Sequence, residues 1–495
     1  MQTQQLSQIS FGPRPYDYAP TAGKEIDLGT YRREEASLQE ALLRLCPENL
    51  WHNGSYSAGC PRPILVDKSH QKQMEELHEA LTIAIIDIIQ RWWTDDDARL
   101  PERMPLEAEE EELLKWIESQ VSEGNLPAFR ERLGSWRPDF LVEKDEHHEE
   151  NYRITEINAR FSFNGFMHEA YGQEVLNKSV EGEASVLAGA TDPNMILEGL
   201  FSLFQPNRPL HLLKGAEHGI DIHMFIDAAW RRFGIKPRLI TPAELRMLPD
   251  ACSKSGYRLC CVVAKDFASP TGSSTFTADN GEVWEEVHQI GLELHQRELV
   301  ALEPETLREI SLRCFNDMRT ILLVHDKRML GIVKQELPRL VARRVLTAAQ
   351  AHVLDRGIVD TILPGSEELN CLIQATIASP QLRHSYILKP IRSGKGDGII
   401  FGDDVGEDEW VSALQKLVSP KVVTGITCVV QRRIMPREYT LVLKASVGRV
   451  QYPLVGTYHV ANGQLLGLGT WRASGGRIVA VSSGGSWICS VMRRD

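Results

Sequence analysis

No apolar run in this 495-residue sequence reaches the ~20 residues that a helix needs to span a bilayer. The first segment, MQTQQLSQISFGPRPYDYAP, has neither the basic stretch nor the apolar core of a secretory signal, so a cytoplasmic protein with no membrane partner is expected. The nine cysteines never form C-x-x-C and never take the His–Cys spacing of a zinc site, and they read as scattered reduced thiols. Positive charge is short as well. Lys and Arg number 55 against 67 Asp and Glu, a net −12, which argues against nucleic acid as a partner because such surfaces need clustered cations. No G-x-G-x-x-G follows a strand, so dinucleotide binding is not supported. The sequons Asn53-Gly-Ser55 and Asn177-Lys-Ser179 lack the secretory signal that would give them meaning.

What is present is an ordinary globular composition, 42% hydrophobic and 25% charged, in a chain long enough for two or three packed subdomains. Residues 1–130 read as an extended arm followed by a helical region. Its clearest helix is Gln71 to Trp93, with Leu77, Leu81, Ile85 and Ile88 on a buried face and Trp92-Trp93 as core. Glu107 and Glu109 to Glu112 open a second helix, where acidic side chains favour the dipole. Residues 131–204 hold a hairpin and a helix, with His168 either touching a substrate or hydrogen-bonded at the helix start. In residues 205–300, RPLHLLK, KPRLIT and YRLCCVVAK are strands and DIHMFIDAAWRRFG a helix ended by Gly234, which predicts a small α/β domain with a parallel sheet. Its ligand edge would carry Lys214-Gly-Ala-Glu217-His-Gly219. Ser269 to Gly281 reads either as a second lid or as a surface loop; helical patterns follow over Glu282–Val300, Glu305–Leu323 and Met329–Val341, the last kinked at Pro338.

The chain is organised around Trp136 to Gly165, WRPDFLVEKDEHHEENYRITEINARFSFNG. Pro138–Val142 and Tyr152–Ile157 are strand-like runs around an acidic turn. Alternation puts Arg137 with Asp139, and Glu156 with Asn158, on single faces, so pairing crowds all four onto one patch. Three oxygen donors beside an arginine suit a hard cation holding phosphate, since Mg²⁺ fills its shell with phosphate oxygens and water. Taken alone, Glu-x-Asn also fits the polar face of an exposed hairpin.

Arg-x-Asp, a turn, then Glu-x-Asn-Ala-Arg resembles the metal-binding hairpin of ATP-grasp ligases, in the circularly permuted branch typified by the synthetase half of glutathionylspermidine synthetase. The resemblance implies an ATP-grasp fold of mixed α+β and α/β class, with nucleotide-binding motifs displaced to the C-terminal part. There, Tyr386-Ile-Leu-Lys389-Pro is a strand carrying a lysine, and IRSGKGDG follows as a loop with Gly394, Gly396 and Gly398 alternating. Such a loop serves either as an anion nest or as a tight bend. Cys428 to Ile434 is a strand ending in a polar residue, and Arg437-Glu438 opens the next.

From the resemblance, residues 301–495 would be the nucleotide-binding lobes. Asp139, Glu156 and Asn158 would hold Mg²⁺, two ions in all. Lys327, Lys389, Ser393, Gly394, Lys395, Gly396, Gln431, Arg432 and Ile434 would hold ATP. Arg137 and Arg472 would serve the phosphoryl or acyl oxygens. Arg328 and Lys334 compete with Lys327 for its role. The implied reaction joins a small-molecule carboxylate to an amine, an amino acid or short peptide, through an acyl phosphate. A kinase, a carboxylate–thiol ligase and a non-catalytic binding protein on the same fold stay open, as does the oligomeric state, a homodimer included. The segment Ser482-Ser-Gly-Gly-Ser486 departs from the glutathionylspermidine pattern, and neither Cys46 nor Cys60 has the partner pattern of an amidase half.

Overall fold

The computed structural model describes all residues except 1–4, 13–16, 23–26, 145–148, 183–184, 254, 265–274 and 495. Its centre is a sheet in which early and late segments pair. Strands Ser135–Lys144 and Glu150–Asn158 form the antiparallel hairpin, and the first of them also pairs antiparallel with Val455–Ala461, which continues to Trp471–Ala473 and Ser486–Ile488. Phe140, Tyr152, Tyr458 and Trp471 are buried at this junction, Phe140 and Tyr152 stacking at 4.3 Å between ring centres. Such aromatic pairs fasten neighbouring strands beyond their area alone.

The N-terminal stretch is not a free arm. Ser7–Phe11 and Tyr18–Pro20 are strands of a five-stranded sheet with Ile64–Val66, Ser490–Arg493 and Leu187–Gly189. The buried Gln8 amide donates to the carbonyls of Arg62 and Val442 and accepts from the Val442 N–H, which ties this edge to the late chain. The predicted long helix runs Lys68–Gln90, with Leu77, Leu81, Ile85 and Ile88 on its apolar face, all buried. Asp67 caps it by accepting the N–H groups of Ser69 and His70.

In the small α/β region three parallel strands are ordered Ile290–Glu293, His211–Lys214, Arg238–Ile240, with the helix Ile222–Phe233 ending at Gly234 (φ 67°). Two expectations are corrected here. Tyr257–Val263 does not join the parallel sheet; it lies in an antiparallel sheet with Leu245–Pro249, Val283–Glu286 and Thr275–Thr277. Glu282–Val300 is not one helix, since it holds the strands Val283–Glu286 and Ile290–Glu293 and only the short helix Gln296–Val300. Its apolar residues Val283, Val287, Ile290 and Leu294 match a helical period as well as short strands, which is why spacing alone misplaces them. Of the expected loop Ser269–Gly281, residues 269–274 lie outside the described residues, and Thr275–Thr277 is a strand. The pattern over Glu305–Leu323 resolves into the helix Pro304–Arg313 and a separate π-turn, Thr320–Val324. Arg328–Ala342 continues as a helix through Pro338.

A four-stranded sheet in the C-terminal part is antiparallel in the order Thr361–Ile362, Cys428–Arg432, Tyr386–Pro390, Ile400–Phe401. Helices Glu367–Ala378 and Glu407–Gln415 cover it, and Trp410 is fully buried among Leu369, Leu388, Leu414 and Val430 in a core of its own. Among the described residues, no helix is long and apolar enough to cross a membrane.

Candidate functional site

A cavity of about 1410 Å³ opens between the hairpin, the sheet of Tyr386–Pro390 and Cys428–Arg432, and the late strands. The hairpin register sets Arg137 opposite Asn158 and Asp139 opposite Glu156, with a bulge after Asp139. All four side chains line the cavity, as the alternation of the strands requires.

Asp139 is buried between two arginines. Arg137 Nε donates to its Oδ1 at 2.9 Å, and Arg472, from the late strand, donates through Nη2 to Oδ2 at 2.5 Å. Glu156 faces two lysines, with Lys327 Nζ at 3.4 Å and Lys389 Nζ at 3.7 Å from Oε2. Burial by itself would raise the Glu156 carboxyl. The cations Lys327, Lys389, Arg472 and Arg137 outweigh it and hold that carboxyl well below the usual range. Burial pushes the Lys389 ammonium down, and Glu156 opposes the shift. Two carboxylates from neighbouring strands thus sit among four cationic side chains, an arrangement with charge for both a polyanion and a cation. The donor set fits Mg²⁺, since Asp139, Glu156 and Asn158 offer oxygen on one face; the buried Asn158 Nδ2, a donor with no hydrogen-bond partner among the described residues, suits a phosphate oxygen and not the cation.

The other residues singled out from sequence divide. Lys327 stands before the helix Arg328–Ala342, with its N–H bonded to Ile391 O and its Nζ to Ser393 O at 2.6 Å, so it touches both Glu156 and the glycine loop. Its two competitors are engaged elsewhere. Arg328 is fully buried on Asp326 and the Pro105 carbonyl, and Lys334 reaches Asp360 and the Asp355 carbonyl. Ser393, Gly394, Lys395 and Gly396 line the cavity; Lys395 (φ 56°) and Gly396 (φ 80°) are left-handed, a backbone shape that turns successive N–H groups one way. Lys395 Nζ pairs with Glu217 Oε1 at 3.2 Å, just beyond the strand His211–Lys214. Gln431 also lines the cavity, but its amide donates to Thr155 O and Thr361 Oγ1. The Arg432 guanidinium is taken up by Glu143, at 2.8 and 3.0 Å, and by Asp360, while Ile434 contributes an apolar wall.

Arg160 is a residue that the sequence reading did not assign. It stands two places beyond Asn158, on the continuation of the same face, lines the cavity and donates through Nη2 to Arg392 O at 2.7 Å. Burial and Arg392 push its guanidinium down to about 10. The alternation Glu156, Asn158, Arg160 was the signal that could have found it.

Comparison with known proteins bears on the whole chain. A family model described as the AnkG N-terminal domain matches residues 77–323. A protein named ATP-grasp enzyme ankG, from Aspergillus thermomutatus, is 33% identical over 494 residues, covering 99% of this chain and 100% of that one. Among solved structures, an apo-form glutathione synthetase-like effector from Globodera pallida aligns with a TM-score of 0.55 over 94% of this chain and 98% of its own. At 10% identity that likeness shows the fold alone.

Proposed function

The chain belongs to the family of the ATP-grasp enzyme ankG, and from that premise we propose that it is an ATP- and Mg²⁺-dependent ligase that joins a carboxylate to an amine through an acyl phosphate. The observation that carries this reading is the convergence of Arg137, Arg472, Lys327 and Lys389 on the opposed carboxylates Asp139 and Glu156. A carboxylate is a poor electrophile until one of its oxygens becomes a leaving group. Phosphoryl transfer to it demands positioning and charge neutralisation more than covalent help from the protein.

Each part of the site has a place in that scheme. Asp139, Glu156 and Asn158 would hold the metal, which when bound supplies charge neutralisation between phosphate oxygens. Lys327, Lys389 and the loop Ser393–Gly396 cradle the phosphates, and Gln431, Arg432 and Ile434 form the edge at which the base lies. Arg137 and Arg472 now share Asp139; they are placed to exchange it for the developing oxyanion of the acyl phosphate. The early hairpin pairing with Val455–Ala461 supports a permuted order of motifs, because it lets residues 137–158 and 389–472 build one site. An acid and an amine of small size, an amino acid or short peptide, fit a cavity of this volume.

The test is a coupled ADP-release assay against pooled carboxylates and amines, with mass spectrometry of every positive pool. An amide product with one ADP per bond is expected. No ADP from any pool, together with no measurable ATP binding, would overturn the reading, and a stable phosphorylated product would make the protein a kinase.

A further inference from the structure

The same cavity contains a second constellation that the ligase reading leaves unused. Ser55 Oγ lies 2.7 Å from His168 Nε2, and His168 Nδ1 lies 2.7 Å from Asp221 Oδ1. Asp221 is completely buried and its other oxygen accepts the Met167 N–H at 2.9 Å, so the carboxylate is fixed from two sides. With Nδ1–H donating to Asp221, the Nε2 lone pair is directed at the serine hydroxyl. That is the nucleophile, base and orienting carboxylate of acyl-transfer enzymes, which are recognised by geometry and role and not by order in the chain.

Three further observations separate this from a chance contact. Ser55 and His168 both line the cavity, so the hydroxyl is reachable, while the carboxylate behind them is not. The residues before the serine, Asn53 (φ 50°, ψ 33°) and Gly54 (φ 65°, ψ 30°), are both left-handed. Asn and Gly are the residues that take this shape most readily, so the pair makes a tight turn that sets where Ser55 leaves it. The Ser55 carbonyl accepts from Trp487 Nε1 at 2.8 Å, and Trp51 meets the His168 ring edge-on at 5.1 Å, so both reacting groups are held.

We propose that Ser55, His168 and Asp221 form a second catalytic centre, a serine acyl-transfer site for an activated acyl group on an oxygen leaving group, either an ester or an acyl phosphate. Ser55 Oγ bonds to the acyl carbon as its proton passes to His168 Nε2. The bond to the leaving oxygen breaks, and the imidazolium returns the proton to that oxygen, leaving acyl-Ser55. Water, or an amine where one is bound, attacks the acyl-serine with the same proton relay. This releases a carboxylic acid or an amide and restores the serine.

The experiment needs neither ATP nor a known substrate, so its outcome is independent of the ligase reading. The full-length protein is treated with a fluorophosphonate probe and, separately, with p-nitrophenyl acetate, in the absence and presence of Mg²⁺ and ATP. One covalent adduct mapped to Ser55 by peptide mass is expected, absent in Ser55→Ala. Labelling should be slower by roughly a hundredfold in His168→Gln and in Asp221→Asn, the scale of a lost general base. Turnover of the nitrophenyl ester without ATP would point to esters as the acyl source; labelling without such turnover would point to the acyl phosphate. Mapping on the unaltered protein keeps the test decisive even if a variant fails to fold. No adduct at Ser55, or an adduct whose rate is unchanged in His168→Gln, would overturn the proposal.

Discussion

At Glu156 a single carboxylate answers to four cations, and its replacement separates charge from shape. On the proposed reading, Glu156→Gln loses turnover and weakens the apparent Mg²⁺ affinity by about tenfold, or ~1.4 kcal/mol, because one ligand charge disappears with almost no change in volume. Titrating ADP release against Mg²⁺ checks it; full activity at low Mg²⁺ would place the metal elsewhere. His70 makes a second residue-scale test. It lies between Asp67, at 2.7 Å, and Glu150, at 2.8 Å. Burial opposes its charge, but the two carboxylates prevail and push the imidazole up to about 9. A raised value means that the charged form stabilises the fold. That stabilisation is complete below about 6.5, the unfolded value, and is lost as pH rises through about 9. Urea unfolding from pH 6 to 10 should therefore show a fall in stability over that window, flattened in His70→Gln; the same slope in both proteins would acquit the histidine.

At the scale of elements, the glycine loop and the satellite core behave differently. A Cβ at Gly396, already at φ 80°, would meet Ile478 Cγ2 at 2.3 Å, so Gly396→Ala strains the loop wherever it sits. Lys395 is tethered to Glu217 and Lys327 to the Ser393 carbonyl, contacts that phosphate oxygens would replace. Hydrogen exchange over residues 391–398 should slow when a non-hydrolysable ATP analogue and Mg²⁺ are added, and slow less in Gly396→Ala. Equal protection with and without nucleotide would mean that this loop is no lid. Trp410, by contrast, is a pure packing anchor, and Trp410→Ala should cost about 3–5 kcal/mol in the sheet of Tyr386–Pro390 and Cys428–Arg432. Denaturation followed by tryptophan fluorescence and by circular dichroism would check it, and a loss below ~1 kcal/mol would show that the covering helices collapse to fill the gap.

For the molecule as a whole, legibility followed contact range. The hairpin could be read because alternation and a turn fix which side chains share a face, and the placing of Arg137, Asp139, Glu156 and Asn158 along one wall needs nothing more. The parallel strand Ile290–Glu293 was hidden because its apolar spacing continues a helical pattern, and only packing against His211–Lys214 decides the matter. The Ser55–His168–Asp221 set was illegible for a plainer reason. Its members lie 113 and 53 residues apart, and each alone looks like a loop serine, a helix-start histidine or a helix-start aspartate.

The pairing of Ser135–Lys144 with Val455–Ala461 also has a meaning in time. At the ribosome, about 5–20 residues emerge each second, so the early strand waits roughly 15–60 s for its neighbour. Throughout that interval the hairpin presents an unpaired edge, with Asp139 lacking Arg472. A nascent chain stalled before residue 455 would hold both carboxylates with Arg137, Lys327 and Lys389 but would lack Arg472 and the strand that covers the hairpin's open edge, and should bind a chaperone before it binds a nucleotide.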